Sequence, residues 1–250
     1  AMDSAARAQP AWERIGAEAR GRVLRRAAEL LGARADELAR LVTREMGKVL
    51  YEARAEVAGA IDNFAFYPAF ARTLSGEEVA GLPHGESMRL LWIARGVVVG
   101  ITPWNFPAAT VTRKIAPALL AGNTMVLKPS SNTPLSSLLL AEVLRDAGLP
   151  PGVLNVVPGP GAVLGAALIG HPACSTVTLT GSTASGVEVV REAAPGMAKC
   201  LLELGGKAPV LVADDADLDW AARATVWARF WNAGQACIAA EKCYVHESVA

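Results

Sequence analysis

Between residues 96 and 186 short apolar runs alternate with helical segments, and this alternation restricts the fold more than any other feature of the chain. The runs are GVVVGI at 96–101, TMVLK at 124–128, VLNVV at 153–157 and STVTL at 175–179. Each is short and rich in apolar residues, as strands buried on both faces are. Helical spacing follows near 135–147 and 162–169, and a third helix opens after 180–186. Strand then helix, three times over, requires right-handed crossovers and a parallel sheet. The expected class is therefore α/β, a Rossmann-like parallel sheet with flanking helices. Ligands of such a sheet bind beyond the carboxyl ends of the strands, where the connecting loops gather.

The chain ahead of this region has a different period. Val23, Leu24, Ala27, Leu30 and Leu31 repeat at three and four, as do Leu38, Leu41, Val42 and Met46, so two or three helices fill 18–70. Gly32 and Gly47 stand where C-terminal caps would end the first two. Gly, Pro and Ser mark a loop over 74–86, and RLLWIA at 89–94 reads as a further strand. The segments expected are N-terminal helices over 1–72, an arm over 73–95, the sheet domain over 96–201, and the start of a second α/β domain over 202–250.

Charge and cysteine content exclude several functions. Twenty-four Lys and Arg balance twenty-four Asp and Glu, leaving no long-range field for nucleic acid or anionic membrane. No run approaches the roughly 18 apolar residues of a membrane span, and the first residues lack the apolar core of a signal peptide. Cys174, Cys200, Cys237 and Cys243 match neither a zinc pattern nor a dense disulfide framework, and His84, His171 and His246 have no ligand spacing. The expectation is a cytoplasmic protein without a metal site, acting on a small molecule.

Two loops suit a nucleotide. PGPGAVLGAAL after the strand at 153–157 spaces Gly159, Gly161 and Gly165 at a strand-to-helix turn, as a dinucleotide fingerprint with one residue added would. A tight turn with close helix packing explains the same glycines. TGSTASG at 180–186 offers hydroxyls and free N–H groups at a helix N-terminus, which suits a pyrophosphate or merely an ordinary Ser or Thr N-cap.

Three further residues carry candidate chemistry. Cys237, in GQAC, has little bulk around its sulfur, although most free cysteines are inert packing, the reading adopted for Cys174, Cys200 and Cys243. Glu203, in LLELGGK, has apolar neighbours whose burial of it would raise its pKa toward that of a general base; pairing with Lys207 or exposure at a strand end is the alternative. Asn105, in TPWNFP, lies between two prolines that exclude helix, so its amide is held for an oxyanion or for capping a turn.

Read together, these motifs resemble the nicotinamide-dependent aldehyde dehydrogenases. PWNFP at 103–107, LKPSSNTP at 127–134, LTGSTASG at 179–186, LELGGK at 202–207 and GQAC at 234–237 occur in the family's order, with 34 positions between Glu203 and Cys237. The resemblance implies that Cys237 attacks an aldehyde, that Asn105 and the Cys237 N–H hold the oxyanion, and that Glu203 activates the water that clears a thioester. A Glu at that position implies hydrolysis rather than transfer to coenzyme A. On the cofactor side it implies contacts to NAD or NADP from Thr102, Pro103, Trp104, Lys128, Gly161, Gly165, Gly181, Ser182 and Glu203. Ser131 stands where many NAD-preferring relatives have Glu, so a 2′-phosphate is not repelled and NADP is tolerated.

EMGK at 45–48 with Glu52, Arg54 and Glu56 resembles members that act on semialdehydes such as succinate semialdehyde, and also several broad-specificity members. The family's members continue well past the 13 residues that follow Cys237 here, and the complete protein is expected to form a homo-oligomer through an arm that includes 81–94. The 250 residues alone are then expected to expose apolar surface and an open strand edge. A nucleotide-binding or interaction module that keeps the sheet without turnover is the alternative function.

Overall fold

The computed structural model describes residues 1–250 apart from Ser75 and Leu82. Four helices open the chain: α1 (Met2–Arg14), α2 (Ala17–Ala33), α3 (Ala35–Met46) and α4 (Leu50–Phe66), with a 3₁₀ turn over Tyr67–Arg72. Leu24, Ala27, Ala28 and Leu31 form the buried stripe of α2, at the spacing that puts side chains on one helix face. Gly47 caps α3 in the left-handed region, with φ +89° and its N–H donated to Thr43 O at 2.9 Å. Gly32 does not end a helix, because α2 continues through it to Ala33.

Of the loop expected over 74–86, Ser75 and Leu82 lie outside the described residues. The rest contains β1 (Glu77–Val79), which pairs antiparallel with β2 (Met88–Leu90). The strand expected over 89–94 is thus shorter and begins earlier. Among the described residues the ladder ends where Glu77 meets Leu90, and Leu91, Trp92 and Ile93 run on exposed and outside it.

The sheet then builds as β3 (Val97–Ile101), α5 (Ala109–Leu120), β4 (Thr124–Lys128), α6 (Pro134–Asp146), β5 (Leu154–Val156), α7 (Gly161–Ile169), β6 (Cys174–Thr180), α8 (Thr183–Ala193) and β7 (Lys199–Glu203). Its strand order is β5-β4-β3-β6-β7 and every pairing is parallel. Both faces are covered. Val98, Met125 and Leu127 pack with Leu24, Leu38, Phe64 and Ile115 on one side, whereas Val97, Val99, Val126 and Val177 pack with Leu168 and Val189 on the other. This is why β3 and β4 lack polar alternation. Gly100 leaves room for β4: a Cβ there would lie 3.2 Å from Met125 Sδ.

Helix α1 has no apolar stripe long enough to announce it, and Pro10 lies inside it. Tertiary contacts hold it instead. Trp12 Nε1 donates to Leu119 O at 2.9 Å and Thr124 Oγ1 donates to Ala5 O at 3.0 Å. After the main sheet, β8 (Ala208–Val212) and β9 (Ala240–Val245) form a separate parallel pair joined by α9 (Leu218–Phe230). Among the described residues no helix is long and apolar enough to cross a membrane.

Candidate active site

Chain order runs β3 to β4 to β5 in one direction and then returns to the other side of β3 for β6 and β7, so the sheet's direction reverses at β3. Ligand clefts form at such a reversal. Here a cleft of about 1730 Å³ opens at the carboxyl ends, and every site residue expected from the sequence lines it.

The loop after β3 carries Thr102, Pro103, Trp104 and Asn105. Thr102 is buried, and its Oγ1 has no hydrogen-bond partner among the described residues. Pro103 and Pro107 keep the loop out of helix until α5 begins, and the backbone N–H groups of Ala108 and Ala109 are taken by Glu56 Oε1 at 2.8 and 3.1 Å. Asn105 Nδ2 donates to Gln235 O at 2.8 Å, which ties this loop to the one bearing the thiol. An amide nitrogen has two hydrogens, so one remains for a ligand.

The thiol loop has an unusual backbone. Asn232, Ala233 and Gly234 have φ of +56°, +55° and +73° in succession. Left-handed geometry costs an L-residue such as alanine roughly 1–2 kcal/mol, so neighbouring contacts must hold the turn. Asn232 is fully buried; its Nδ2 donates to Asn105 O at 3.2 Å and Gln235 O at 3.0 Å. The Trp231 ring lies 5.2 Å from that of Phe106. Cys237 is exposed to the cleft, and Gly206 lies against its carbonyl so closely that a Cβ there would come within 2.5 Å of Cys237 O. The glycines of LELGGK therefore admit the thiol loop beside the strand that ends in Glu203. Burial pushes the Cys174 thiol up to about 11 and raises that of Cys200, as befits inert packing. Cys243 departs from that expectation, being exposed on β9.

Glu203 ends β7 in register with Thr180. Its apolar neighbours do not bury it: they alternate across the strand, and its own side faces the open cleft, so Glu203 is exposed. Lys207 pairs with Glu241 at 3.3 Å instead. Sequence reading missed a nearby cation. Lys114, on α5, is buried in the cleft wall and donates to Thr178 Oγ1 at 2.8 Å. Burial lowers its pKa to about 8, with the Glu203 carboxylate acting in the opposite direction. A lysine on the otherwise apolar face of TVTRKIAPALL was the available signal.

On the other flank Lys128 ends β4, buried, with its pKa lowered by desolvation and its Nζ donating to Pro129 O at 2.9 Å. Gly161 sits beside it, since a Cβ there would be 3.9 Å from Lys128 Nζ, while Gly165 faces open space. Ser131 Oγ donates to Gly159 O at 2.8 Å, which sets the hydroxyl at the turn before α7. Gly181 N donates to Glu203 O at 3.0 Å. Ser182 caps α8 by accepting from Ser185 N at 3.1 Å, so its hydroxyl has the capping role while still lining the cleft. Helix α7 starts at Gly161 and α8 at Thr183, so both point their N-termini toward the cleft loops. Among the described residues no cluster of His, Cys, Asp or Glu could hold a metal ion.

An open parallel sheet covered by helices on both faces, with a free thiol, an amide and a carboxyl gathered at its strand ends, defines a Rossmann-like α/β protein. The chain belongs to the aldehyde dehydrogenase family, whose model matches residues 1–250. It is 46% identical over 249 residues to a D-glyceraldehyde dehydrogenase (NADP(+)) of Thermoplasma acidophilum, covering 100% of this chain and 50% of that protein. It is 44% identical to the succinate-semialdehyde dehydrogenase [NADP(+)] of Escherichia coli, covering 100% of this chain and 52% of that one. Among solved structures, an E. coli NADP-dependent enzyme superposes with a TM-score of 0.97 at 42% identity, covering 99% of this chain and 52% of its own. The chain thus spans about half the length of the relatives it matches.

Proposed function

We propose that the protein oxidises an aldehyde to the carboxylic acid with a nicotinamide dinucleotide. The observation that carries this reading is the convergence of Cys237, Asn105 and Glu203, from three separate elements, on one cleft. Cys237, as thiolate, adds to the aldehyde carbon to give a thiohemiacetal. The unassigned N–H of Asn105 and the Cys237 backbone N–H hold the oxyanion. The dinucleotide, when bound, supplies the two-electron oxidant for this adduct. Glu203 then takes a proton from the water that attacks the resulting thioester, and exposure to the cleft gives that water access.

The cleft fits such a cofactor. The buried Thr102 hydroxyl lacks a partner among the described residues, and the glycine turn at α7 lies open beside Lys128. Lys128 and Ser131 would hold the adenosine ribose, and a hydroxyl in place of a carboxylate at 131 supports use of NADP. The D-glyceraldehyde and succinate-semialdehyde relatives, both named with NADP(+), support the same reading. Those names also favour a small polar aldehyde or semialdehyde as substrate. A homo-oligomer in the cytoplasm completes this reading, joined through the exposed arm that carries Val79, Met88, Leu90, Trp92 and Ile93.

A second reading, a nucleotide-binding module without turnover, is favoured for these 250 residues alone by the exposed apolar side chains Leu211, Trp220, Trp227 and Phe230. The experiment is reduction of NAD and NADP with succinate semialdehyde and D-glyceraldehyde, by this chain and by the full-length protein, beside Cys237→Ala. Turnover lost in the variant with cofactor binding kept is the expected outcome. Glu203→Gln should accumulate an acyl mass on the Cys237 peptide; finding that mass on Cys174, Cys200 or Cys243 would overturn the assignment.

A further inference from the structure

The segment EMGKVLYEARAEV at 45–57 touches the cleft only through Ala55 and Glu56, so most of it cannot sort substrates by contact. Its glutamates instead each accept backbone N–H groups from a different loop of the site. Glu45 accepts from Leu135 and Ser136, the latter at 2.9 Å, at the head of α6 just after the loop with Ser131. Glu56, buried against Lys48, accepts from Ala108 and Ala109 just after the loop with Asn105. Glu52 Oε1 accepts from Asn232 N at 3.1 Å, across 180 positions, in the loop with Cys237.

We propose that Glu52 is a positioning residue for the nucleophile. It acts through the Asn232 backbone, which it fixes at the start of the left-handed turn. Asn232 in turn bridges the Asn105 and Gln235 carbonyls, so the turn sets the thiol against the oxyanion amide. Among the described residues, the Glu52 carboxylate is the group outside the two loops that hydrogen-bonds Asn232, and it roots the strained turn in the helical layer. Removing it leaves a buried N–H unpaired in a backbone conformation that is already unfavourable.

This role rests on Cys237 being the nucleophile, and the test separates the two. In the full-length protein, Glu52→Ala should speed hydrogen exchange at the backbone amides of 231–237 without changing β4 or α8. It should slow first-turnover NADP reduction ten- to a hundredfold at saturating D-glyceraldehyde while the NADP dissociation constant stays within twofold. Glu52→Gln keeps the acceptor and should restore exchange and bring the rate to within threefold of the parent. Unchanged exchange or an unchanged rate in Glu52→Ala would overturn the proposal, as would a Gln variant as impaired as the Ala variant. Glu52→Met, which fills similar volume without an acceptor, carries the test where Ala does not fold. Failure of both to fold would make Glu52 a general structural residue and also overturn it. A parent protein inactive on aldehydes, with faster loop exchange in the variant, would sink the nucleophile reading and leave Glu52's hold on the turn standing.

Discussion

Helices α2, α3 and α4 bury Leu24, Leu31, Leu38, Val42, Val57 and Phe64 almost completely, whereas α9 carries Trp220, Val226, Trp227 and Phe230 and buries none of its residues. Both regions have apolar side chains at helical spacing. What separates them is the surface that these 250 residues, about half the length of the matched relatives, offer to receive the stripe. The early helices pack on one another and on α5 and α6 over a five-stranded sheet, while α9 rests on the two-stranded pair β8–β9. Periodicity therefore specifies a helix and its apolar face, and the number of layers behind that face specifies its burial. The candidate site straddles the two regions. Asn105 and Lys128 stand on the thick side, and Cys237 stands on the thin one.

Two substitutions on the thick side should cost most. Phe64→Ala opens a cavity in a fully buried site and should lower unfolding free energy by about 4 kcal/mol, measured by urea denaturation. Glu56→Leu strands the buried Lys48 ammonium and two N–H groups of α5, and should cost about 4 kcal/mol as well. The double variant Lys48→Met/Glu56→Leu should recover part of that loss, since the orphaned charge is gone. A single variant as stable as the parent would remove the basis for setting the thick side apart from the thin one.

Lys114 gives a smaller effect with a defined pH window. Its folded pKa, about 8, lies below the ordinary value of 10.5, so between these limits the unfolded chain binds more protons and stability rises with pH. Below pH 8 the buried charge is a constant penalty. The stability of the parent relative to Lys114→Met should therefore climb by about 3 kcal/mol from pH 8 to pH 10.5 and stay flat below pH 8. A flat difference throughout would place the ammonium in water.

The smallest effect belongs to the thin side. Trp220→Ser, at an exposed position of α9, should change unfolding free energy by less than about 0.5 kcal/mol while reducing self-association seen by light scattering. A loss comparable to that of Phe64→Ala would erase the contrast between the two regions.

Legibility in the sequence followed the same division. Strand β4 and helices α6, α7 and α8 were readable because local pattern and burial agree there, and the motifs of the candidate site could be picked out because each is local. Helix α1 was not, since Trp12 and Ala5 are held by partners more than a hundred positions away. Helix α5 was obscured by the prolines at 107 and 117, and Gly32 looked like a cap but lies one residue inside the end of α2. The exposure of Glu203 was hidden because its immediate neighbours Leu202 and Leu204 pack on the opposite side of the strand, while Leu201 on its own side is exposed too. Lys114 and Asn232 carry no motif of their own, and the segment that includes Glu52 gives no sign of its bond to Asn232: what these residues do depends on groups brought near by folding.

The bond from Asn105 to the carbonyl of Gln235 has a consequence in time. Cys237 leaves the ribosome 132 residues after Asn105, a delay of roughly 7–26 s at ordinary rates of synthesis. The sheet and its helical cover are already translated when the thiol emerges. The Cys237 loop is thus made after the main sheet and after Asn105 and Glu52, the two residues that hydrogen-bond it from elsewhere in the chain.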